Sequence, residues 1–232
     1  MRPHVVVNVA VSADGKLSTF ERRQVRISGQ ADFRRVDRLK AGMDAVMVGI
    51  GTVLADDPSL TVKDPALITA REAAGRPPHP IRVVVDSKGR CPPEATVFHR
   101  GPGQRVVAVS KACPPERRAT LGEYATVIVA GDERVDLAAL LERLHAIGVE
   151  RIMVEGGGTL IGALFEEGLV DELYVYIGNM IIGGADAPTL ADGPGRSAAR
   201  PFVRLQLAGM EPCEEGVLLH WRVKKEDESG FT

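Results

Sequence analysis

Short aliphatic, β-branched runs recur along this chain, each closed by a turn, and several are followed by residues at helical spacing. Val5–Val11, Ala45–Val48, Ile81–Val85, Arg105–Val109, Ala125–Val129, Arg151–Val154 and Glu172–Ile177 are such runs. They are too short for buried helices and nearly continuous in apolar character, which predicts strands covered on both faces. Gln30–Lys40 carries Phe33, Val36 and Leu39 three residues apart, with Ser28 as a candidate cap, and predicts a helix. Asp136–Ile147, with leucines at 137, 140, 141 and 144 and Gly148 after it, predicts a second. Leu160–Glu167, closed by Gly168, predicts a third. The polar stretch from Lys63 to Pro80 ends in RPPHP and predicts a surface loop. Val203–Leu207 and Val217–Val223 predict strands with no helix between them, so the C-terminal edge of the sheet should be antiparallel. The pattern specifies one α/β domain over residues 1–232: a mostly parallel sheet with helices on both faces and a flexible tail at 225–232.

Composition narrows the function classes. A net charge of −2 argues against bulk capture of nucleic acid. Cys91, Cys113 and Cys213 are odd in number and far apart, which gives neither a disulfide framework nor a metal-ligand spacing. They are expected to be inert thiols in a reducing cytoplasm, with no metal bound. Val5–Val11 is too short and too polar for a signal peptide, and no run reaches the roughly 20 apolar residues of a membrane span. A soluble cytoplasmic protein is expected.

Three strand ends carry candidate chemistry. In VMVGIGTVLADDPSLTV, residues 46–62, Gly49 and Gly51 let a ligand approach the backbone. Thr52 and Asp56 lie one helical turn apart in the same stretch, so both can face one ligand. The sequence equally allows Thr52 to cap a short helix and Asp57 to cap the proline turn. The segment lacks the third glycine of a dinucleotide-binding fingerprint and does not follow the first strand, which excludes that fold; no P-loop is present. DSKGR, residues 86–90, combines a small hydroxyl, two cations and a glycine, a set that suits a phosphate monoester, although a charged turn needs no more. EGGGTL, residues 155–160, removes side chains just before a helix N-terminus and suits a pyrophosphate. Glu155 beside it is fitted to accept from donors of a substrate.

Together VNVAVSADGKLST, VGIGTVLADDPSLTV, IRVVVDSKGR, VEGGGTL and LFEEGLVDELYVYI resemble, in order over nearly the whole chain, the riboflavin-biosynthesis reductases. IIGGADAPTLADGPG is most similar to the archaeal stand-alone form, and no zinc-deaminase signature accompanies it. The resemblance implies a dihydrofolate-reductase-like three-layer fold, a homodimer, and NADPH, with NADH also used by some members. It implies reduction of the ribose of 2,5-diamino-6-ribosylamino-4(3H)-pyrimidinone 5′-phosphate to a ribityl chain. Thr52 and Asp56 would then lie at the nicotinamide–ribose end of the cofactor. Ser87, Lys88, Gly89 and Arg90 would lie at its adenosine phosphate, and Gly157, Gly158, Thr159 and Leu160 at its pyrophosphate. Val135 would lie near the adenine. On the substrate, Asn8 would meet the pyrimidine where bifunctional bacterial members tend to carry lysine, a departure that favours the aminated substrate. Glu155 would accept from ring N–H groups, Lys40 and Lys63 would face the ribose phosphate, and Leu60 would line the pocket. No catalytic residue is implied; Asp57 and water are the candidate proton donors. Action on the deaminated pyrimidine, a dihydrofolate reductase and a non-catalytic nucleotide-binding regulator remain alternatives.

Overall fold

In a computed structural model, described over residues 1–23, 25–197 and 202–224, the predicted strands form one nine-stranded sheet. They are β1 (His4–Val11), β2 (Ala45–Gly49), β3 (Ile81–Val85), β4 (Arg105–Val109), β5 (Thr126–Val129), β6 (Arg151–Val154), β7 (Glu172–Ile177), β8 (Leu205–Cys213) and β9 (Gly216–Val223). Their order is β5-β4-β3-β2-β6-β1-β7-β9-β8. Every pairing from β5 to β7 is parallel, and β7–β9 and β8–β9 are antiparallel. This is the mixed, mostly parallel sheet with an antiparallel C-terminal edge that the sequence implied. Residues 225–232, expected as a tail, lie outside the described residues.

Alternation within each strand feeds two cores, one per face. Val5, Val7, Val9 and Val11 of β1 point into a core with Leu140, Leu141 and Leu144 of α6 (Leu137–Ala146) and Leu160, Ile161 and Leu164 of α7 (Gly158–Glu166). Val6, Val46, Val48, Val84 and Val107 point the other way. There they meet Val36 and Leu39 of α1 (Gln30–Ala41), Val53 of α2 (Ile50–Asp56), Phe98 of α4 (Thr96–His99) and Leu121 of α5 (Pro115–Gly122). Burying both faces is why these strands read as unbroken apolar runs.

The structure corrects four local expectations. Lys63–Pro80 is not all loop, because Pro65–Ala73 forms α3. Its signal is Asp64-Pro65: the Asp64 carboxylate accepts from the Ala66 N–H at 2.9 Å, and Pro65 occupies the first turn. Ser28 does not cap α1. The Glu214 carboxylate, from the turn between β8 and β9, accepts from the Ala31 N–H at 2.9 Å and lies against Gly29, where a Cβ would collide with it. α7 begins at Gly158, two residues earlier than its apolar pattern suggests, so the last glycine of the triplet is already helical. The C-terminal edge strand is β8, Leu205–Cys213, which runs well past Leu207.

Candidate active site

The carboxyl ends of β1, β2, β3 and β6 open onto one cleft of about 1970 Å³. That exceeds the roughly 300–1,000 Å³ of a single small-ligand pocket and leaves room for two ligands side by side. The location follows from topology. β6 is inserted between β2 and β1, so the chain leaves the sheet in different directions there and a crevice forms beyond the strand ends.

Of the sixteen residues singled out from the sequence, all but Gly89 line this cleft. Gly89 instead makes the turn of DSKGR, with φ +69° and a Cβ position only 2.6 Å from Cys113 Sγ. Its role is to let that turn pack. Thr52 and Asp56 share α2, and the Thr52 hydroxyl faces the glycine loop, with Oγ1 3.5 Å from where a Gly157 Cβ would stand. Gly156 and Gly157 have φ of +146° and +91°, a conformation that glycine adopts without strain. Gly158 serves a different purpose, because a Cβ there would run into Thr189 and Asp192, which pack on the start of α7. No acidic side chain lies in the first turn of α7.

At the β3 end, the Ser87 hydroxyl accepts from the Val135 N–H at 3.0 Å, so its own hydrogen is left to donate. Lys88 and Arg90 are exposed beside it. Asp86 is fully buried. Its Oδ2 accepts from the Cys91 N–H at 2.7 Å, and its Oδ1 has no hydrogen-bond partner and lies 3.7 Å from Arg90 Nε. Burial pushes this carboxyl above its ordinary range, against the Cys91 N–H and Arg90.

At the other end of the cleft, helix α1 presents a polar buried face. Asp32, Asp37 and Lys40 are its buried side chains besides Ala41, whereas the stripe of Phe33, Val36 and Leu39 is only partly covered. Lys40 Nζ lies 2.9 Å from Glu155 Oε1, with both side chains largely shielded from water. Lys40 is therefore not a solvated surface cation. The Asp37 carboxylate accepts from the backbone N–H groups of Lys63 and Asp64 and so fixes where exposed Lys63 stands. Leu60 is buried with φ +56°, and Asp57 has φ +42°. Two left-handed non-glycine residues within four positions mark a strained loop at the cleft wall. Asp57 does not face a ligand freely, because its carboxylate accepts from the Thr96 N–H at 2.7 Å and from the Thr96 hydroxyl.

Asp32 and Arg35 were invisible as site residues from the sequence. Arg35 donates to Asp32 Oδ1 at 2.8 Å and to Asn8 Oδ1 at 2.7 Å, with its guanidinium 5.7 Å from the Tyr174 ring centre. The available signal was the spacing, an acid and an arginine three residues apart on one predicted helix. Among the described residues no group of His, Cys, Asp and Glu is arranged to hold a metal, and no helix is long and apolar enough to cross a membrane.

The fold and the cleft together define an α/β protein with a large cleft beyond the carboxyl ends of its parallel strands. The solved structure of a pyrimidine reductase-like protein from Corynebacterium diphtheriae matches with a TM-score of 0.79 over 97% of this chain and 93% of that one, at 20% identity. RibD from Acinetobacter baumannii matches with a TM-score of 0.79 at 27% identity, over 96% of this chain and 58% of that one. The model of the RibD C-terminal domain family matches residues 3–219, and the chain belongs to that family. The 2,5-diamino-6-ribosylamino-4(3H)-pyrimidinone 5′-phosphate reductase of Archaeoglobus fulgidus is 54% identical over 193 residues, 83% of this chain and 88% of that protein. The protein of the same name from Methanothermobacter thermautotrophicus is 46% identical over 224 residues, 97% of this chain and 100% of that protein.

Proposed function

We propose that this protein reduces the ribosyl side chain of 2,5-diamino-6-ribosylamino-4(3H)-pyrimidinone 5′-phosphate to the ribitylamino product, in the cytoplasm, using NADPH. The observation that carries the reading is the convergence of three sequence-remote loops, each fitted to a different part of such a pair of ligands, on one cleft.

The residues present suit a phosphorylated dinucleotide. Gly156 and Gly157 keep side chains away from the start of α7, where free N–H groups favour a pyrophosphate. The Ser87 hydroxyl hydrogen, Lys88 and Arg90 offer donors and positive charge to a terminal 2′-phosphate. Val135 gives an apolar surface for an adenine, and Thr52 and Asp56 supply polar contacts for the nicotinamide–ribose end. When bound, the cofactor supplies a hydride for the electrophilic C1′ of the opened ribosylamine.

The protein's own part is binding and orientation. The Glu155 carboxylate, steadied by Lys40, accepts from ring N–H groups of the pyrimidine. Leu60 covers the ring, and Lys63, placed by Asp37, meets the ribose phosphate. Arg34 and Arg38, also on the cleft wall, add positive charge there. The active species is a homodimer. β8 is an edge strand with exposed Leu207 and Met210, a surface that a second copy would cover.

Incubation with the phosphorylated ribosylaminopyrimidine and NADPH should consume the reduced-nicotinamide absorbance stoichiometrically with substrate. Absence of oxidation with both the aminated and the deaminated pyrimidine refutes the assignment.

A further inference from the structure

Asn8 sits on β1 in the floor of the cleft, 7% exposed, and its side-chain amide has one acceptor end and one donor end. Which end faces a ligand decides what the residue can read. The neighbour settles it by chemistry. Arg35 has only donors, and its Nη2 lies 2.7 Å from the amide oxygen. The opposite orientation would set N–H against N–H.

Arg35 is itself held. Its Nε donates to Asp32 Oδ1 at 2.8 Å, Asp32 is 2% exposed, and the guanidinium plane rests near the face of Tyr174. Tyr174 in turn stacks on His220, with ring centres 4.1 Å apart and planes 7° apart. The guanidinium cannot swing away without leaving a buried carboxylate unpaired. The Asn8 amide nitrogen has no protein partner among the described residues, and it is not among the buried polar atoms without a partner. Its N–H groups therefore open on the cleft.

We infer that Arg35 is a positioning residue that fixes Asn8 as a hydrogen-bond donor to a ring carbonyl oxygen of the substrate. The inference rests on the pyrimidine reading of the cleft and deepens it. It also revises one sequence expectation. With its oxygen committed to Arg35, Asn8 does not recognise an amino group and so does not select the aminated pyrimidine. Both the aminated and the deaminated substrates carry a ring carbonyl, and both satisfy it. Discrimination between them falls to the acceptor at the end of the neighbouring strand, Glu155, which follows β6 where β6 pairs with β1 and can take N–H groups.

The test is Asn8→Asp, nearly isosteric, acceptor-only and still able to meet Arg35. Steady-state kinetics on the two pyrimidines are measured beside NADPH affinity by fluorescence titration. The inference predicts a fall in kcat/KM of about 100-fold on both substrates, as a carbonyl meets a carboxylate where it met a donor. The ratio between the substrates should move by less than about threefold, with NADPH affinity unchanged, because the lost contact is common to both. Arg35→Met should raise KM about tenfold with a smaller change in kcat, since the amide is then free to turn over. Asn8→Lys in that background should recover KM, because an ammonium donates in any orientation. Wild-type-like kcat/KM in Asn8→Asp, an unchanged KM in Arg35→Met, or a shift in substrate ratio beyond about threefold overturns the inference while leaving the reductase assignment standing. An inactive wild-type enzyme overturns both.

Discussion

Breaking the Lys40–Glu155 pair should destabilise the protein as well as disable it. The ions are 2.9 Å apart, and their side chains retain 9% and 15% of their exposure. Removing one member of a fully buried pair costs about 3–5 kcal/mol, because the other charge is left without a partner. The cleft admits some water, which brings the expected loss to about 2–3 kcal/mol for either single substitution. For a chain of this length each kcal/mol moves Tm by about 2–4 °C, so Lys40→Met and Glu155→Gln should each lower Tm by about 5–10 °C. Methionine keeps the stem that lines the cleft, which limits the loss to the charge. The double variant should be less destabilised than the sum by about 1–2 kcal/mol, because no charge is then stranded. Scanning calorimetry of the ligand-free protein measures all three. Additive losses, or single variants within about 1 °C of the parent, refute the coupling.

Other expectations follow from separate regions. Lys88→Ala with Arg90→Ala should raise KM for NADPH at least tenfold more than KM for NADH, by loss of charge-assisted contacts to the 2′-phosphate; equal effects remove that role. Gly162→Ala places a Cβ against the Asp192 backbone carbonyl. The clash should cost about 1–3 kcal/mol despite the better helix propensity of alanine, and urea unfolding reads its sign. Asp171 accepts from Arg2 and from the Val5 N–H. Burial works to raise its carboxyl, and Arg2, Val5 and His4 outweigh it, so it lies below the ordinary value of 3.8. A depressed carboxyl stabilises the fold above 3.8 and loses that contribution as pH falls through its folded value. Asp171→Asn should therefore lower Tm at neutral pH, and the gap to the parent should close on acidification; a pH-independent gap contradicts the linkage.

The sheet was legible because buried parallel strands leave continuous apolar runs, and β1 to β7 fell within a residue or two of their predicted ends. Most of the cleft was legible for a related reason. Its loops follow strands directly, and glycine, lysine and a lone acid at a strand end stand out locally. Interactions between distant segments were not. Glu214 caps a helix 183 positions away in the chain, and nothing near Ser28 announces it. Asp192 explains Gly158 and Gly162 only once the 189–192 segment is seen against α7. Arg35 was hidden by its helix, whose apolar stripe drew attention from the polar face that turns toward the cleft. α3 was missed although its cap and proline were present, because the polar residues around them resemble a loop.

On the function proposed, this cleft delivers a hydride from NADPH to the side-chain C1′ of a ribosylaminopyrimidine phosphate. Turnover with NADPH deuterated at the transferable nicotinamide C4 position, followed by mass spectrometry and proton NMR of the product, tests it directly. The expected product is the ribitylamino compound with one deuterium at C1′. Deuterium elsewhere in the molecule, or a product that carries none, contradicts it.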